Sequence, residues 1–297
     1  MSATTPGLAP ISVRRRASDR FARGILLALT LIALVPLVLI VYELLRKGLG
    51  AISWDFFTTD PTGRTCFPGQ TTCTIGGVKS AILGTIEIVA LAAVIAIPFG
   101  IGVALYLVEF GKTGKFANVV RYFVDVMTGV PSVVFGLFVY IVLVVTGIGG
   151  TFAAWKGSIA LALLMLPVVT RSGEVVLNLV PNQLRESALA LGAPRWKVVF
   201  SIVLPTALPG LITGSMLAIA RAAGETAPLL FTSFSLLGTS FALGNQMNSL
   251  PIQIFNDVQA PNDAIVQRAW GSALTLVVGV LLLTTIARLA QRRSKLT

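Results

Sequence analysis

Two pairs of oppositely charged residues lie inside long apolar runs of the sequence. Arg221 and Glu225 belong to the stretch ARAAGETAPLL, and Arg171 and Glu174 belong to an apolar run further upstream. Residues three or four apart share one face of a helix, so each arginine can reach its neighbouring glutamate. A charged side chain at the centre of a membrane costs about 2.5 to 3.5 kcal/mol on insertion scales, so these residues are expected to serve a function.

An anion path is one chemistry that the pairs could provide. A guanidinium presents parallel N–H donors that match the oxygens of a tetrahedral oxyanion. An ionised glutamate beside it suits an anion that still carries a proton, such as hydrogen phosphate, because the carboxylate can accept that proton in a hydrogen bond and would repel fully ionised sulfate. Glu225 is then either a filter for a protonated anion or the counter-charge of Arg221. The hydroxyls of Ser132 and Thr226 could donate to a passing oxyanion, although hydroxyls also bond their own helix backbone.

The alternative chemistry is structural, with each arginine neutralising its own glutamate and the pairs holding helices together. Two further acids in apolar runs, Glu87 and Asp125, are predicted to form structural ion pairs. Gly210 and Gly214 form a small-xxx-small pattern, which predicts a close approach between two membrane helices.

Residue types needed for enzymatic catalysis are scarce. The sequence has no histidine, which removes imidazole bases and histidine-ligated zinc. Gly111-Lys112-Thr113 resembles the end of a P-loop, but that motif requires glycine five residues before its Gly-Lys, where Tyr106 stands. We therefore predict no covalent chemistry, no metal and no cofactor in this chain. If ATP is used, another chain must bind it.

The elements that must position these residues are membrane helices. Of the 297 residues, 55% are hydrophobic and 12% are charged, against about 25% charged in soluble domains. A hydrocarbon core about 30 Å thick takes about 20 helical residues to cross. The long runs without strand-like alternation predict an all-α integral membrane protein with six transmembrane helices. The predicted spans are 24–45, 79–108, 122–147, 157–177, 206–237 and 267–290.

The distribution of basic residues predicts that both termini are cytoplasmic. When residues at the span ends are counted with the adjoining side, two of the 23 Lys and Arg residues lie within spans, fifteen on the predicted inside, and six outside: Arg46, Lys47, Arg64, Lys79, Lys156 and Arg268. The first run is interpreted as an uncleaved span, because it is longer than a signal-peptide core and no cleavage site follows. The inside excess explains the net charge of +11 through contacts with membrane lipid, so no nucleic-acid partner is predicted.

The predicted organisation is a cytoplasmic basic tail (1–23), a membrane domain (24–290) and a second basic tail (291–297). The external segment 46–78 contains the two cysteines, Cys66 and Cys73, on either side of a Pro-Gly turn. This spacing can close a small disulfide loop on the side of the membrane where disulfides persist; the alternative is two free thiols.

The longest cytoplasmic loop, 178–205, predicts two short helices at the inner face of the membrane. Pro181 and Asn182 suit the start of the first helix, Gly192 suits its end, and Pro194 prevents its continuation. The second helical piece leads into span five.

This loop resembles the signature of the permease subunits of ATP-binding-cassette importers, which reads Glu-Ala-Ala, three residues, Gly, nine residues and Ile-x-Leu-Pro. The matching positions, with both spacings kept, are Glu186, Ala188, Gly192, Ile202, Leu204 and Pro205. Ser187 is the one departure, since the family usually has Ala there. The resemblance implies a type I, MetI-like permease fold and a coupling helix, with Glu186, Ser187, Ala188 and Gly192 docking on a separate ATPase. The alternative is an amphipathic connector that lies on the membrane.

Within that class, the sequence resembles the permeases of bacterial phosphate importers known as PstA. The resemblance covers about residues 75–290 and is carried by Arg221–Leu230, by Arg171 and Glu174, and by Gly129–Gly136. It implies a multi-pass protein of the bacterial plasma membrane that imports inorganic phosphate, with all four charged residues on the path. The implied partners are a second related permease (PstC), an ATPase dimer (PstB) that binds ATP and Mg, and an external phosphate-binding protein (PstS).

Three alternatives to phosphate import remain open from the residues. The first is a permease for another oxyanion, sulfate or molybdate. The second is an ion-coupled secondary transporter, which would move its solute without an ATPase. The third is a signalling or assembly protein with structural ion pairs, in which neutralising Arg221 would abolish no transport.

Overall fold

The computed structural model describes the backbone of residues 13–62, 76–111 and 114–294, and the side chains of 18–62, 76–111 and 114–289. These ranges contain twelve α-helices and no β-strand. In chain order the helices are α1 (Val13–Gly48), α2 (Trp54–Thr58), α3 (Lys79–Leu105), α4 (Lys115–Gly129), α5 (Ser132–Val139), α6 (Ala154–Asn178), α7 (Asn182–Ala190), α8 (Arg195–Val198), α9 (Leu204–Ala223), α10 (Ala227–Thr232), α11 (Leu250–Asp257) and α12 (Asp263–Ser294). Three π-helical segments, Tyr106–Gly111, Tyr140–Val145 and Val199–Val203, extend α3, extend α5 and precede α9.

Five of the six predicted spans correspond to helices that are long and apolar enough to cross a membrane, namely α1, α3, α6, α9 together with α8, and α12. The boundaries differ at both ends of the chain, since α1 begins at Val13, within the predicted tail 1–23, and α12 continues to Ser294. We call the end of the helix bundle that carries residues 178–205 the inner end, because the charge pattern predicts that it is cytoplasmic. The opposite end is the outer end.

The third span is not one continuous helix as its apolar run suggested. Its two halves, Lys115–Gly129 and Ser132–Val145, meet at an angle of 104°. Pro131 lacks an N–H and disfavours helical geometry in the residue before it, and Val130 is accordingly extended, with φ −75° and ψ 131°. The predicted span 122–147 is therefore broken into two helices. The crossing counts as a sixth span only if the bent pair is taken together.

The fifth span is also interrupted. Helix α9 ends at Ala223, three residues without helical structure follow, and α10 begins at Ala227 and ends at Thr232. Pro228 is tolerated in the first turn of α10, where no earlier helical carbonyl needs its missing N–H. The break lies between Gly224 and Pro228, and the helical part of the predicted span 206–237 ends at Thr232.

The core of the bundle is formed by α3, α6 and α9, which pack closely through small residues. A Cβ built on Gly210 would lie 2.5 Å from Val176 Cγ1, and one built on Gly214 would overlap Ser172 Oγ. The two contacts advance along α9 while receding along α6, so these helices are antiparallel. The close packing predicted from Gly210 and Gly214 is confirmed.

Helix α1 lies at the periphery of the bundle, with none of its membrane-spanning window buried within the chain. Its contacts with α12 lie near its end, where Gly48 approaches Leu274 and Lys47 Nζ lies 4.8 Å from the ring centroid of Trp270. At the outer end α11 is tied to α12 by a buried ion pair, in which Arg268 Nε lies 2.8 Å from Asp257 Oδ2.

Candidate functional site

Arg221 and Glu225 lie at the interruption of the fifth span. Arg221 is in the last turn of α9, and Glu225 lies in the unwound segment before α10. Arg221 Nε is 3.7 Å from Glu225 Oε1, and the two side chains are 53% and 18% exposed in the isolated chain. A charge-assisted hydrogen bond is about 2.7 to 2.9 Å long, so this ion pair is loose. The guanidinium therefore keeps donors available for another acceptor.

The interruption of the third span lies beside the interruption of the fifth. A Cβ built on Gly136 would lie 2.6 Å from Pro228 Cα, and the rings of Tyr140 and Phe231 are 6.3 Å apart at their centroids. From the first contact to the second, the residue numbers increase on both sides, so the α5 and α10 segments run parallel. Ser132, one helical turn before Gly136, therefore lies at the level where α10 begins and the unwound segment with Glu225 and Thr226 precedes it.

The second predicted pair belongs to a network of four charged residues. Arg171 Nη1 lies 2.7 Å from Glu174 Oε2, and Arg171 Nη2 also pairs with Asp125 Oδ1. Glu174 Oε1 accepts a hydrogen bond from Arg121 Nε at 2.8 Å, and Arg121 Nη2 donates to the carbonyl of Leu107 at 2.9 Å. The two positive and two negative charges balance, and the network joins α4 to α6. The structural ion pair predicted for Asp125 is confirmed.

The two charged pairs do not lie at the same depth. Gly214 of α9 faces Ser172 of α6, which is adjacent to Arg171. Arg221 lies seven residues further along α9, which corresponds to about 10 Å towards the outer end. The structure therefore groups Arg221, Glu225 and Thr226 with the level of Ser132, and it places Arg171 and Glu174 nearer the inner end.

The predicted coupling residues lie on two different sides of α7. Glu186, Ser187 and Gly192 are exposed, whereas Ala188 is only 7% exposed and packs in an apolar cluster with Val198. Ala188 therefore faces the chain's own core in the isolated chain, and its role in docking stays a prediction. Its methyl group fits α7 against the chain's own core. Gly192 ends α7 with φ +81°, a conformation that favours glycine, as the sequence predicted.

Sequence reasoning missed two further charged contacts at the inner end. Arg121 binds Glu174 and Arg185 binds Glu109, whereas the sequence alone only counts both arginines among the fifteen basic residues on the predicted inside. Their positions near the ends of apolar runs fit that assignment. Only the packing of distant segments identifies their partners, 53 and 76 residues away in the chain.

Other predicted residues take no part in the contacts given above. Cys66 and Cys73, with their possible disulfide, lie outside the described residues, as does the loop charge Lys112. Glu87 is half-buried in α3, and no basic side chain lies within 4.0 Å of it among the residues that the structure describes. The structural ion pair predicted for Glu87 is thus not formed within the described chain.

Solved structures with similar folds are membrane subunits from transporters. The chain superposes on an inward-facing structure of the MetNI methionine ABC transporter with a TM-score of 0.60 and 18% identity, covering 72% of this chain and 94% of that one. A bacterial alginate ABC transporter, in complex with an alginate pentasaccharide-bound periplasmic protein, gives a TM-score of 0.66 at 16% identity and covers 94% and 96%. At these identities the similarity establishes the fold, and the MetI-like permease prediction is confirmed.

Sequence comparison defines the family. Residues 96–295 match the family described as "binding-protein-dependent transport system inner membrane component". The "phosphate transport system permease protein PstA 1" of Mycobacterium tuberculosis is 39% identical over 97% of this chain and 93% of its own length. The PstA proteins of Mycobacterium leprae and Yersinia pestis are 42% and 39% identical over 91% and 95% of this chain, and 88% and 92% of theirs.

These similarities extend well beyond residues 75–290, the part that carried the resemblance in the sequence alone. Both the family match and the relatives cover far more than half of the chain. The chain therefore belongs to the binding-protein-dependent transport system inner membrane components and, within them, to the PstA permease family.

Proposed function

We propose that this chain is the membrane permease subunit of an ATP-driven importer of inorganic phosphate, and that it forms half of the translocation path. The names of the relatives support the substrate, and the geometry around Arg221 supports the mechanism. The observation that carries the proposal is an arginine with a loose ion pair, half-exposed at the point where two interrupted spans meet.

The phosphate path runs past this point. Unwound backbone in a membrane span is tolerated where it lines a cavity or is buried in protein, so the two interruptions suit a lining for polar cargo. Arg221 provides N–H donors to the phosphate oxygens, while Ser132 and Thr226 provide hydroxyls at the same level. Glu225 accepts the proton that hydrogen phosphate retains. Arg171 and Glu174 border the path nearer the inner end, where Arg121 and Asp125 already hold them.

The names of the relatives imply the partners, and the exposed surfaces are consistent with them. A second, PstC-like permease completes the path, because the Arg221 side chain is exposed in the isolated chain. A PstB-like ATPase dimer binds ATP and Mg and docks on the exposed side of α7 around Glu186, with both termini of the chain on that cytoplasmic side. A PstS-like binding protein delivers phosphate at the outer end. The chain itself carries out transport and no covalent chemistry.

Replacing Arg221 by glutamine tests this proposal. We expect Arg221→Gln to reduce phosphate uptake by cells about tenfold or more, since a hydrogen bond to a charged group contributes about 1.5 to 3 kcal/mol. The matched control is Arg288→Gln, which removes an exposed arginine of α12 that has no contact with the site. Membrane levels of the complex and retention of the ATPase are measured in parallel.

Three results would contradict the proposal. Wild-type uptake in Arg221→Gln cells would exclude the anion path at this residue. If the purified wild-type complex hydrolysed ATP in response to sulfate-loaded binding protein and not to phosphate-loaded binding protein, the transported substrate would be sulfate and not phosphate. Phosphate uptake without the ATPase would indicate a secondary transporter.

A further inference from the structure

Arg185 lies next to Glu186 in α7, but its side chain is turned towards the chain's own helices. The side chain of Arg185 is 15% exposed, and that of its partner Glu109 is 11% exposed. Glu109 belongs to the π-helical segment Tyr106–Gly111, which extends α3 at the inner end. The neighbouring Glu186 is exposed. One residue of the short helix thus faces a prospective partner, and the next faces the chain's own membrane helices.

All five N–H donors of Arg185 have an acceptor. Nε and Nη2 donate to Glu109 Oε1 at 3.0 and 2.8 Å. Nη2 also donates to the carbonyl of Leu177 at 2.8 Å, and Nη1 donates to the carbonyl of Val180 at 2.5 Å and to Asn182 Oδ1 at 3.2 Å. A guanidinium has five N–H donors in a fixed planar arrangement, so the Arg185 side chain has no donor left for a further acceptor.

These bonds join α7 to two other elements, of which the segment that extends α3 is 76 residues away in the sequence. Leu177 lies in the last turn of α6, where helix carbonyls lack donors from a following turn, and Val180 lies just beyond it. Glu109 continues α3. The guanidinium therefore links α7 to the inner ends of both α3 and α6, which correspond to predicted spans two and four.

Direct packing between α7 and these helices is interrupted around the guanidinium. A cavity of about 380 Å³ is lined by Leu107, Glu109, Asn178 and Arg185, among others. A second cavity of about 210 Å³ lies between Glu109, Arg185 and Leu189. Elsewhere on α7, Ala188 packs in one apolar cluster with Ala104 of α3 and Leu177 of α6, and residues 179–181 join α7 directly to α6. Beside the two cavities, the hydrogen bonds of Arg185 are the described polar contacts that connect α7 to Glu109 and to the end of α6.

We propose that Arg185 is the positioning residue that transmits movement of α7 to spans two and four. This inference rests on the proposed function, in which an ATPase moves α7. Glu186 and its exposed neighbours then determine whether the ATPase docks, and Arg185 determines whether the docked ATPase moves the membrane helices. Docking and transmission are thus separate functions of adjacent residues.

The experiment uses the purified complex of both permeases, the ATPase and the phosphate-binding protein in lipid. The measured quantity is the ratio of ATP hydrolysis with phosphate-loaded binding protein to hydrolysis without it, which does not depend on the amount of complex. For Arg185→Gln we expect the ATPase to remain bound and the ratio to fall at least about fivefold, the lower end of typical coupling between sites. Glu186→Lys should instead lose the ATPase, and Arg288→Gln should match the wild type.

Two further variants test whether the whole set of hydrogen bonds made by Arg185 is needed, or only its ion pair with Glu109. Glu109→Gln removes the carboxylate but leaves the bonds of Arg185 to the end of α6, and we expect a reduced ratio. Arg185→Lys keeps the charge but has three donors for four acceptor atoms, so we expect a ratio between those of Arg185→Gln and the wild type.

A wild-type ratio in Arg185→Gln, or in Glu109→Gln, would overturn the inference. Loss of the ATPase from Arg185→Gln would also overturn it, since the residue would then serve docking. If the wild-type complex responds only to a binding protein loaded with another oxyanion, the proposed substrate fails, but the same ratio taken with that anion still decides the role of Arg185.

Discussion

Arg221 and Arg171 have similar neighbours in the sequence and different ones in space. In the part of the chain that the structure describes, Arg221 has one acidic neighbour at 3.7 Å, whereas Arg171 pairs closely with both Glu174 and Asp125. An arginine held by two carboxylates has fewer free donors and a neutralised charge. Arg221 is therefore the residue better prepared to bind an incoming anion, and Arg171 the one better prepared to hold helices together.

Glu225 can be assigned one of its two predicted roles by a substitution. We expect Glu225→Gln to reduce phosphate uptake about tenfold while leaving the melting temperature of the complex unchanged, because a pair at 3.7 Å with a half-exposed arginine contributes little to stability. Uptake by cells and thermal melting of the purified complex are the two measurements.

The double variant Arg221→Gln/Glu225→Gln serves as the control for that result. If Glu225 were the counter-charge of Arg221, the single variant would melt at a lower temperature and the double variant would recover. That pattern would refute the filter role, in which the glutamate acts on the phosphate proton.

At the scale of elements, the sequence predicted where the helices lie better than where they break. The six apolar runs can be found in the sequence because each span needs about 20 consecutive apolar residues to cross the hydrocarbon core. The sequence also shows Pro131, but it does not give the 104° angle between the two helices that meet there. The direction of α5 depends on the contact of Gly136 with Pro228, which joins segments about 90 residues apart. The adjacency of the two interruptions therefore could not be derived from either segment alone.

The small-residue contact between α6 and α9 makes a prediction about overpacking. Gly214→Leu should lower the melting temperature of the complex, since a side chain at this position would overlap Ser172 and overpacked cores lose about 1 to 3 kcal/mol. Gly279→Leu is the matched control, because a Cβ at Gly279 meets no atom within 4 Å. Equal melting temperatures for the two variants would show that the helices separate at no cost.

At the scale of the whole molecule, the network around Glu174 joins the first half of the broken third span to the core. We expect Asp125→Asn and Arg171→Gln to lower the melting temperature of the complex singly, and the double variant to melt close to Arg171→Gln. The reason is that residues in one charge network do not contribute independently. Melting of the three variants beside the wild type is the measurement, and strictly additive losses would contradict the network.

Some features of the candidate site can be predicted from residues close together in the sequence, and others depend on contacts between distant segments. The charge of Arg221 in an apolar run and the motif around Glu186 are local signals, and both were found from the sequence. The partners of Arg121 and Arg185 lie 53 and 76 residues away, and the burial of Ala188 depends on the return of α8 and the segment after it. Spacing within a motif identifies a family, but it does not say which residues of the motif face outward.

The π-helical segment Val199–Val203 connects the docking loop to the fifth span. A π turn holds more residues than an α turn, because its hydrogen bonds span five residues instead of four. A relative that lacks one residue at this point can close the same stretch as an ordinary α turn, so the helical pieces on either side keep their relative orientation. A one-residue gap here in an alignment of relatives would therefore signify a lost π turn and an unchanged docking surface.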